Sequence, residues 1–184
     1  MKLLLMIHAL IFSLIVGCTE HSLHQSDATK IQGETQWMKL IDGAMWQIAL
    51  DHSDPFRAFI EERTPCRITD FGEEYGGVEV STQRCDYITL TQPLLFDVMD
   101  GALLELNLWH SPLLSDELSQ GMIVLQVDQT VLWTHALNIP TPAQSWTVQF
   151  PSPISMKAGT PLIFHIRNHG ANSYTLHHLS VAHP

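Results

Sequence analysis

From Val78 to Val181 the sequence runs through short segments in which apolar and polar residues alternate. They are VEVST from Val78, DYITLTQ from Asp86, ALLELNLWH from Ala102, MIVLQV from Met122, TVLWTHAL from Thr130, SWTVQF from Ser145, PLIFHIRN from Pro161 and SYTLHHLSV from Ser173. A period of two sends successive side chains to opposite faces of a strand, so each segment has one face fit for a core and one fit for water. Turn chemistry separates several of them, at Asp100-Gly101, Asp128-Gln129, Lys157-Ala158-Gly159 and His169-Gly170-Ala171-Asn172. Evenly spaced strands with almost no helical period predict an all-β fold, an antiparallel jelly-roll-like β-sandwich rather than an α/β sheet. No repeat at a fixed period supports a propeller or solenoid.

Ahead of these strands, residues 37–50 form an apolar segment broken by Asp42-Gly43, which reads as a turn between two short strands. Asp54 and Pro55 have the residue types of an N-cap and a first helical position, so one short helix is expected over Phe56 to Glu62. Residues 37–184 are thus expected to form one β-sandwich domain, long enough for a single core. Thr19 to Gln36 is polar and aperiodic, as a flexible tether would be.

Met1-Lys2 and an apolar run from Leu3 to Val16 have the make-up of a secretory signal, and the run is shorter than the ~20 residues that span a bilayer. The closing Leu14-Ile15-Val16-Gly17-Cys18 resembles the bacterial lipobox. That resemblance implies a signal peptide over 1–17, acylation of Cys18 and cleavage ahead of it, a linker over 18–36, and attachment to a lipid bilayer of the bacterial cell envelope. Thr19, in place of the Asp that signals inner-membrane retention, favours the outer membrane, on its periplasmic or surface face. With Cys18 assigned to lipid, Cys66 and Cys85 remain, and an even remainder in an oxidising compartment predicts a Cys66–Cys85 disulfide.

Charge narrows the partners. The whole chain carries −10, and loss of residues 1–17 removes only Lys2 from the charge count, leaving −11. Nucleic acid is therefore not an expected partner, because binding it relies on basic groups that displace counterions. There is no Gly-x-Ser-x-Gly elbow, His-Glu-x-x-His pair or phosphate-binding glycine loop. Carboxylates such as Glu61, Glu62, Glu73, Glu74, Asp116 and Glu117 come in adjacent pairs typical of a solvated face, and no enzyme is expected.

Alternation also nominates a site. In the segment from Ala102, residues Ala102, Leu104, Leu106 and Leu108 share the core face, while Leu103, Glu105, Asn107 and Trp109 share the other. Leu162, Phe164 and Ile166 likewise oppose Ile163, His165 and Arg167. If both strands lie in one sheet, an indole stands beside amide, imidazole and guanidinium groups, a set suited to stacking on a sugar ring and reading its hydroxyls. Asn107, Trp109, His165, Arg167 and, from the closing stretch Asn168 to Tyr174, Asn172 are the candidate ligand-binding residues. On strand spacing, the outward Trp109 and that stretch, the region from Val78 onward resembles jelly-roll carbohydrate-binding modules. The resemblance implies that a carbohydrate or another polar envelope ligand binds on one sheet face.

Two further readings stand beside it. Eleven histidines, several in the acid-free stretch after Asp128, raise a zinc or copper site built from His110, His165 and His169. Spacing opposes a local site: along a strand His165 and His169 would lie ~13 Å apart, and His177 and His178 should point to opposite faces. No other cofactor is implied. The third reading is an assembly lipoprotein that docks on another envelope protein by a sheet edge. Labelled palmitate should enter the wild-type protein and not a Cys18→Ser variant, which should also stay unprocessed. Equal labelling of both would refute the lipobox.

Overall fold

The computed structural model describes residues 35–50, 52, 54–59 and 63–183. The expected signal peptide, Cys18 and the linker up to residue 34 lie outside the described residues. Eleven strands are present among the described residues: β1 (Gln36–Lys39), β2 (Gln47–Ile48), β3 (Phe71–Glu74), β4 (Gly77–Ser81), β5 (Tyr87–Pro93), β6 (Leu103–His110), β7 (Ser119–Val127), β8 (Thr130–Ile139), β9 (Gln144–Pro151), β10 (Pro161–Arg167) and β11 (Ser173–His183). The eight segments expected from alternation are β4 to β11.

These strands form two antiparallel sheets. The first has the order β3-β4-β11-β6-β9, with β1 also paired to β11, and the second has the order β2-β5-β10-β7-β8. Counted from β4, the first sheet holds the first, eighth, third and sixth strands, and the second holds the second, seventh, fourth and fifth. Every connection among these strands crosses between sheets except the β7–β8 hairpin. This is the strand path of a jelly roll.

Alternation explains the core. Leu104, Leu106 and Leu108 of β6, Leu162, Phe164 and Ile166 of β10, and Ile123, Leu125 and Val127 of β7 are all buried in one apolar cluster. Val78, Val80, Tyr174, Leu176 and Leu179 add the inner face of β4 and β11. The β11 register with β6 shifts between Leu176 and His178, and His177 is the extra residue of that bulge.

Two local expectations change, and one strand is added. Asp42-Gly43 does not join a hairpin: β1 pairs with β11 in the first sheet, whereas β2 pairs with β5 in the second. Between them Leu40, Ile41 and Trp46 are buried in the core, and Asp42 Oδ1 accepts from the Ala44 amide at 3.0 Å to cap a 3-10 turn. Burial of these three side chains pulls the segment across the sandwich instead of back along itself. Of the helix expected over Phe56 to Glu62, residues 60–62 lie outside the described residues and Arg57–Phe59 form a 3-10 turn, which Asp54 caps as anticipated, its Oδ1 accepting from the Phe56 amide at 2.9 Å. Strand β3, with little apolar alternation of its own, is held to β4 by a two-residue turn in which Tyr75 and Gly76 both have positive φ, 49° and 77°.

The Cys66–Cys85 disulfide forms, with Cα atoms 4.9 Å apart. Beside it the Cys66 amide donates to Tyr87 O at 2.9 Å and the Asp86 amide to Thr64 O at 2.8 Å, so the segment entering Cys66 is fastened to the start of β5. The bridge closes a loop of 19 residues of sequence separation, and its entropic contribution is about 3 kcal/mol in the chain-entropy model. A Cys66→Ser/Cys85→Ser double variant should lose about that much stability in urea denaturation, and an unchanged midpoint would contradict the loop-closure account.

Candidate functional site

The outer face of the first sheet is built in rows by strand register. Trp109 of β6 lies between Thr175 of β11 and Ser145 of β9, with Glu79 beyond Thr175 on β4. The next row holds His178, Asn107 and Thr147, and the one after it Lys39, Ser180, Glu105 and Gln149. The last row carries Trp37 opposite Ala182, with Leu103 and Pro151. Two indoles therefore stand on one face, ~20 Å apart along the strand direction at about 3.3 Å per residue. Polar groups fill the space between them.

Those groups hold one another in place. Asn107 Nδ2 donates to Thr147 Oγ1 at 2.8 Å and to the Trp146 carbonyl at 3.3 Å. Both oxygens of Glu105 are engaged, one by Gln149 Nε2 at 2.7 Å and the other by His178 Nε2 at 3.2 Å. On the β4 side, burial and then the neighbouring Glu74 carboxylate raise the Glu79 carboxyl above its ordinary value. Thr175 Oγ1 donates to Glu74 Oε2 at 3.4 Å. The result is a polar, net acidic platform whose side chains have restricted freedom, bordered at both ends by tryptophan.

Arg167 and His165 do not join this platform. They stand on β10 in the second sheet, while Trp109 stands on β6 in the first, so the expected shared face does not exist. His165 does point outward from its sheet, yet it is only 1% exposed. Phe56 stacks on its ring at a centroid distance of 4.1 Å, and Thr89 Oγ1 lies 2.9 Å from its Nδ1. The chain around Phe56 thus roofs this part of the second sheet. Burial, with the positive charge of Arg167 adding to it, lowers the His165 pKa to about 3.

Asn172 is structural. Its Oδ1 accepts from the Leu114 amide at 2.6 Å, and its Nδ2 donates to Asn168 Oδ1 at 2.9 Å and His169 O at 2.8 Å. Asn168 in turn donates to Thr82 Oγ1 and Gly170 O, both at 2.7 Å, and accepts from the Tyr174 hydroxyl. This buried set ties the loop after β6 to the loop after β10. Short polar side chains that bond to nearby backbone are the sequence signature of such a network.

The three histidines considered for metal are dispersed. His110 faces the core of the first sheet, His165 the roofed side of the second, and His169 a loop. Among the described residues no group of three or more His, Cys, Asp or Glu is arranged to hold a metal ion. His110 Nδ1 lies 2.5 Å from the Ser111 carbonyl, which only accepts, so the proton sits on Nδ1 and the buried Nε2 is left without a partner. Burial lowers its pKa, and His135 adds to the shift. Trp146 lies against both rings, with centroids 5.0 Å from His110 and 4.9 Å from His135.

Trp37 is not among the residues that strand alternation nominates for the site. Alternation of Trp37 and Lys39 against Met38 and Leu40 marks it as outward, but only the β1–β11 pairing puts it on the face of Trp109. No protein-family model matches the chain, and no curated protein matches it. Among solved structures it is similar to the carbohydrate-binding module CBM4, at 12% identity over 77% of this chain and 89% of that one, with a TM-score of 0.44. It is also similar to the mannan-recognising module TmCBM27, at 9% identity over 77% and 99% with a TM-score of 0.42. A third is TmCBM61 in complex with β-1,4-galactotriose, at 8% identity over 76% and 90% with a TM-score of 0.37. At these identities the likenesses identify no ligand for this chain.

The roofed imidazole has a pH consequence. Because the folded pKa of His165 is depressed to about 3, the unfolded chain takes up a proton there near pH 6.5 while the folded chain does not. Stability from this group is therefore full above pH 6.5 and is lost as pH falls toward 3, by roughly 2 kcal/mol at pH 5. Urea denaturation at pH 7 and pH 5 should show a drop in wild type that exceeds the drop in His165→Gln by about that amount. Parallel pH dependence in the two would refute it.

Proposed function

We propose that this chain is a lipid-anchored protein of the bacterial envelope that binds a carbohydrate, or a similar polar envelope ligand, on the outer face of its first sheet. One observation carries the reading: half-buried Trp109 stands on a polar sheet face whose next row carries Asn107, Thr147 and His178 and whose following row carries Glu105 and Gln149. An indole offers an apolar ring for the C–H face of a sugar, and the neighbouring amides, hydroxyl and carboxylate offer donors and acceptors for its hydroxyls. Trp37, at the far end of the same rows, suits a ligand of several sugar units lying along the strands. Ordering of Glu105 and Asn107 by their neighbours before any ligand arrives reduces the entropy lost on binding. The lipobox-like segment supports an envelope location, and the acidic balance of the chain is in keeping with an uncharged or polar ligand rather than a polyanion on this face.

A glycan array and a peptidoglycan pull-down test the reading. Wild type should bind at least one glycan, Trp109→Ala should weaken that binding about tenfold or more, equivalent to ~1.4 kcal/mol, and Trp37→Ala should weaken binding of long oligosaccharides more than short ones. No glycan bound by wild type, or full binding by Trp109→Ala, would overturn the proposal.

A further inference from the structure

The platform leaves Arg167 and His169 unused, and both line an open cavity of about 1200 Å³ at the loop end of the second sheet, together with Arg63, Ser119, Asp116 and Glu117. Arg167 closes β10, and among the described residues its guanidinium has neither a hydrogen bond nor an ion pair, with Nε buried and unsatisfied. Ser119 Oγ, on the same cavity, is also buried without a partner. Guanidinium groups stay charged and carry five donors in a planar fork that matches a carboxylate. A buried donor left unpaired by its own fold is costly, and both of these atoms belong to residues that line the cavity.

The surrounding groups define what that is. Arg63 donates to Asn168 O at 3.2 Å, and its other terminal nitrogen lies 3.1 Å from His169 Nε2. A guanidinium only donates, so His169 Nε2 accepts and the ring keeps its proton on Nδ1 as a further donor. The wall is rigid. Gly170 has φ +83°, and a Cβ there would lie 2.0 Å from Leu114 O, so the two loops are in contact at a position only glycine can occupy. Asp116 and Glu117 stand on the loop before β7 and form no ion pair with Arg63 or Arg167. They would repel a compact anion such as phosphate but accept hydrogen bonds from hydroxyls, so the lining offers guanidinium donors for negative charge and carboxylate acceptors for hydroxyls.

We propose that this cavity is a second binding site, separate from the sheet face, that takes a carboxylate-bearing sugar, with the carboxylate on the Arg167 fork and hydroxyls toward Asp116 and Glu117. Because Arg167 and Trp109 stand on opposite sheets, either site can fail without the other.

Calorimetric titrations of the full chain with oligogalacturonate, its uncharged galactose counterpart and inorganic phosphate test this. Oligogalacturonate should bind at least tenfold more tightly than either control. Arg167→Ala should cut that binding at least tenfold, Arg167→Lys should fall between it and wild type because the charge stays and the fork is lost, and Trp109→Ala should retain it. Should Arg167→Ala fail to fold, the Arg167→Lys loss and a parallel loss in Ser119→Ala decide the matter. Equal binding of acidic and neutral oligomers, phosphate as tight as the acidic sugar, no binding by wild type, or full binding by Arg167→Lys and Ser119→Ala would each overturn the proposal. Loss in Trp109→Ala alone would assign the acidic sugar to the sheet face and overturn it as well.

Discussion

Each long strand of this protein has one apolar face, and burying those faces against each other is the constraint from which everything else follows. Leu104, Leu106 and Leu108 from one sheet and Leu162, Phe164 and Ile166 from the other are fully enclosed by this packing. A two-layer sandwich then has two outer faces, and the chain treats them differently. One receives Phe56 stacked on His165, and the 64–66 segment is fastened to the start of β5 beside the disulfide. The other keeps a row of engaged polar side chains with Trp109 among them. The sandwich thus has one outer face roofed at His165 and one left open around Trp109.

Strand identity was legible from the sequence because alternation is a local property that reports directly on which side chains are buried. Which sheet a strand joins is not local. Trp109 and Arg167 both point away from the core, as their positions in LELNLWH and LIFHIRN indicate, yet crossover connections put β6 and β10 in different sheets. His165 illustrates a second limit. Its outward direction was readable, but its burial comes from Phe56, which is remote in sequence and has no periodic relation to it.

Asn172 shows a third. Its amide fits sugar recognition as well as it fits loop capping, and only the presence of Asn168, Thr82 and the Leu114 amide around it settles the role. Polar residues in a turn-rich stretch carry this ambiguity in general, because the same donors and acceptors serve backbone and ligand. The Asp42-Gly43 pair behaves similarly: its turn-forming character is real, but buried Leu40, Ile41 and Trp46 on either side determine where the chain goes next.

The longest strand, β11, occupies the middle of the first sheet and bonds to β6 along one side and to β4 and then β1 along the other. It follows β1, β4 and β6 in the sequence, each by a long stretch of intervening chain. Until its residues are in place, those three strands lack their shared neighbour and expose unpaired edges. Assembly of that layer therefore waits for β11, and the sequence-distant closure it requires makes for slow folding that benefits from protection against premature sticking.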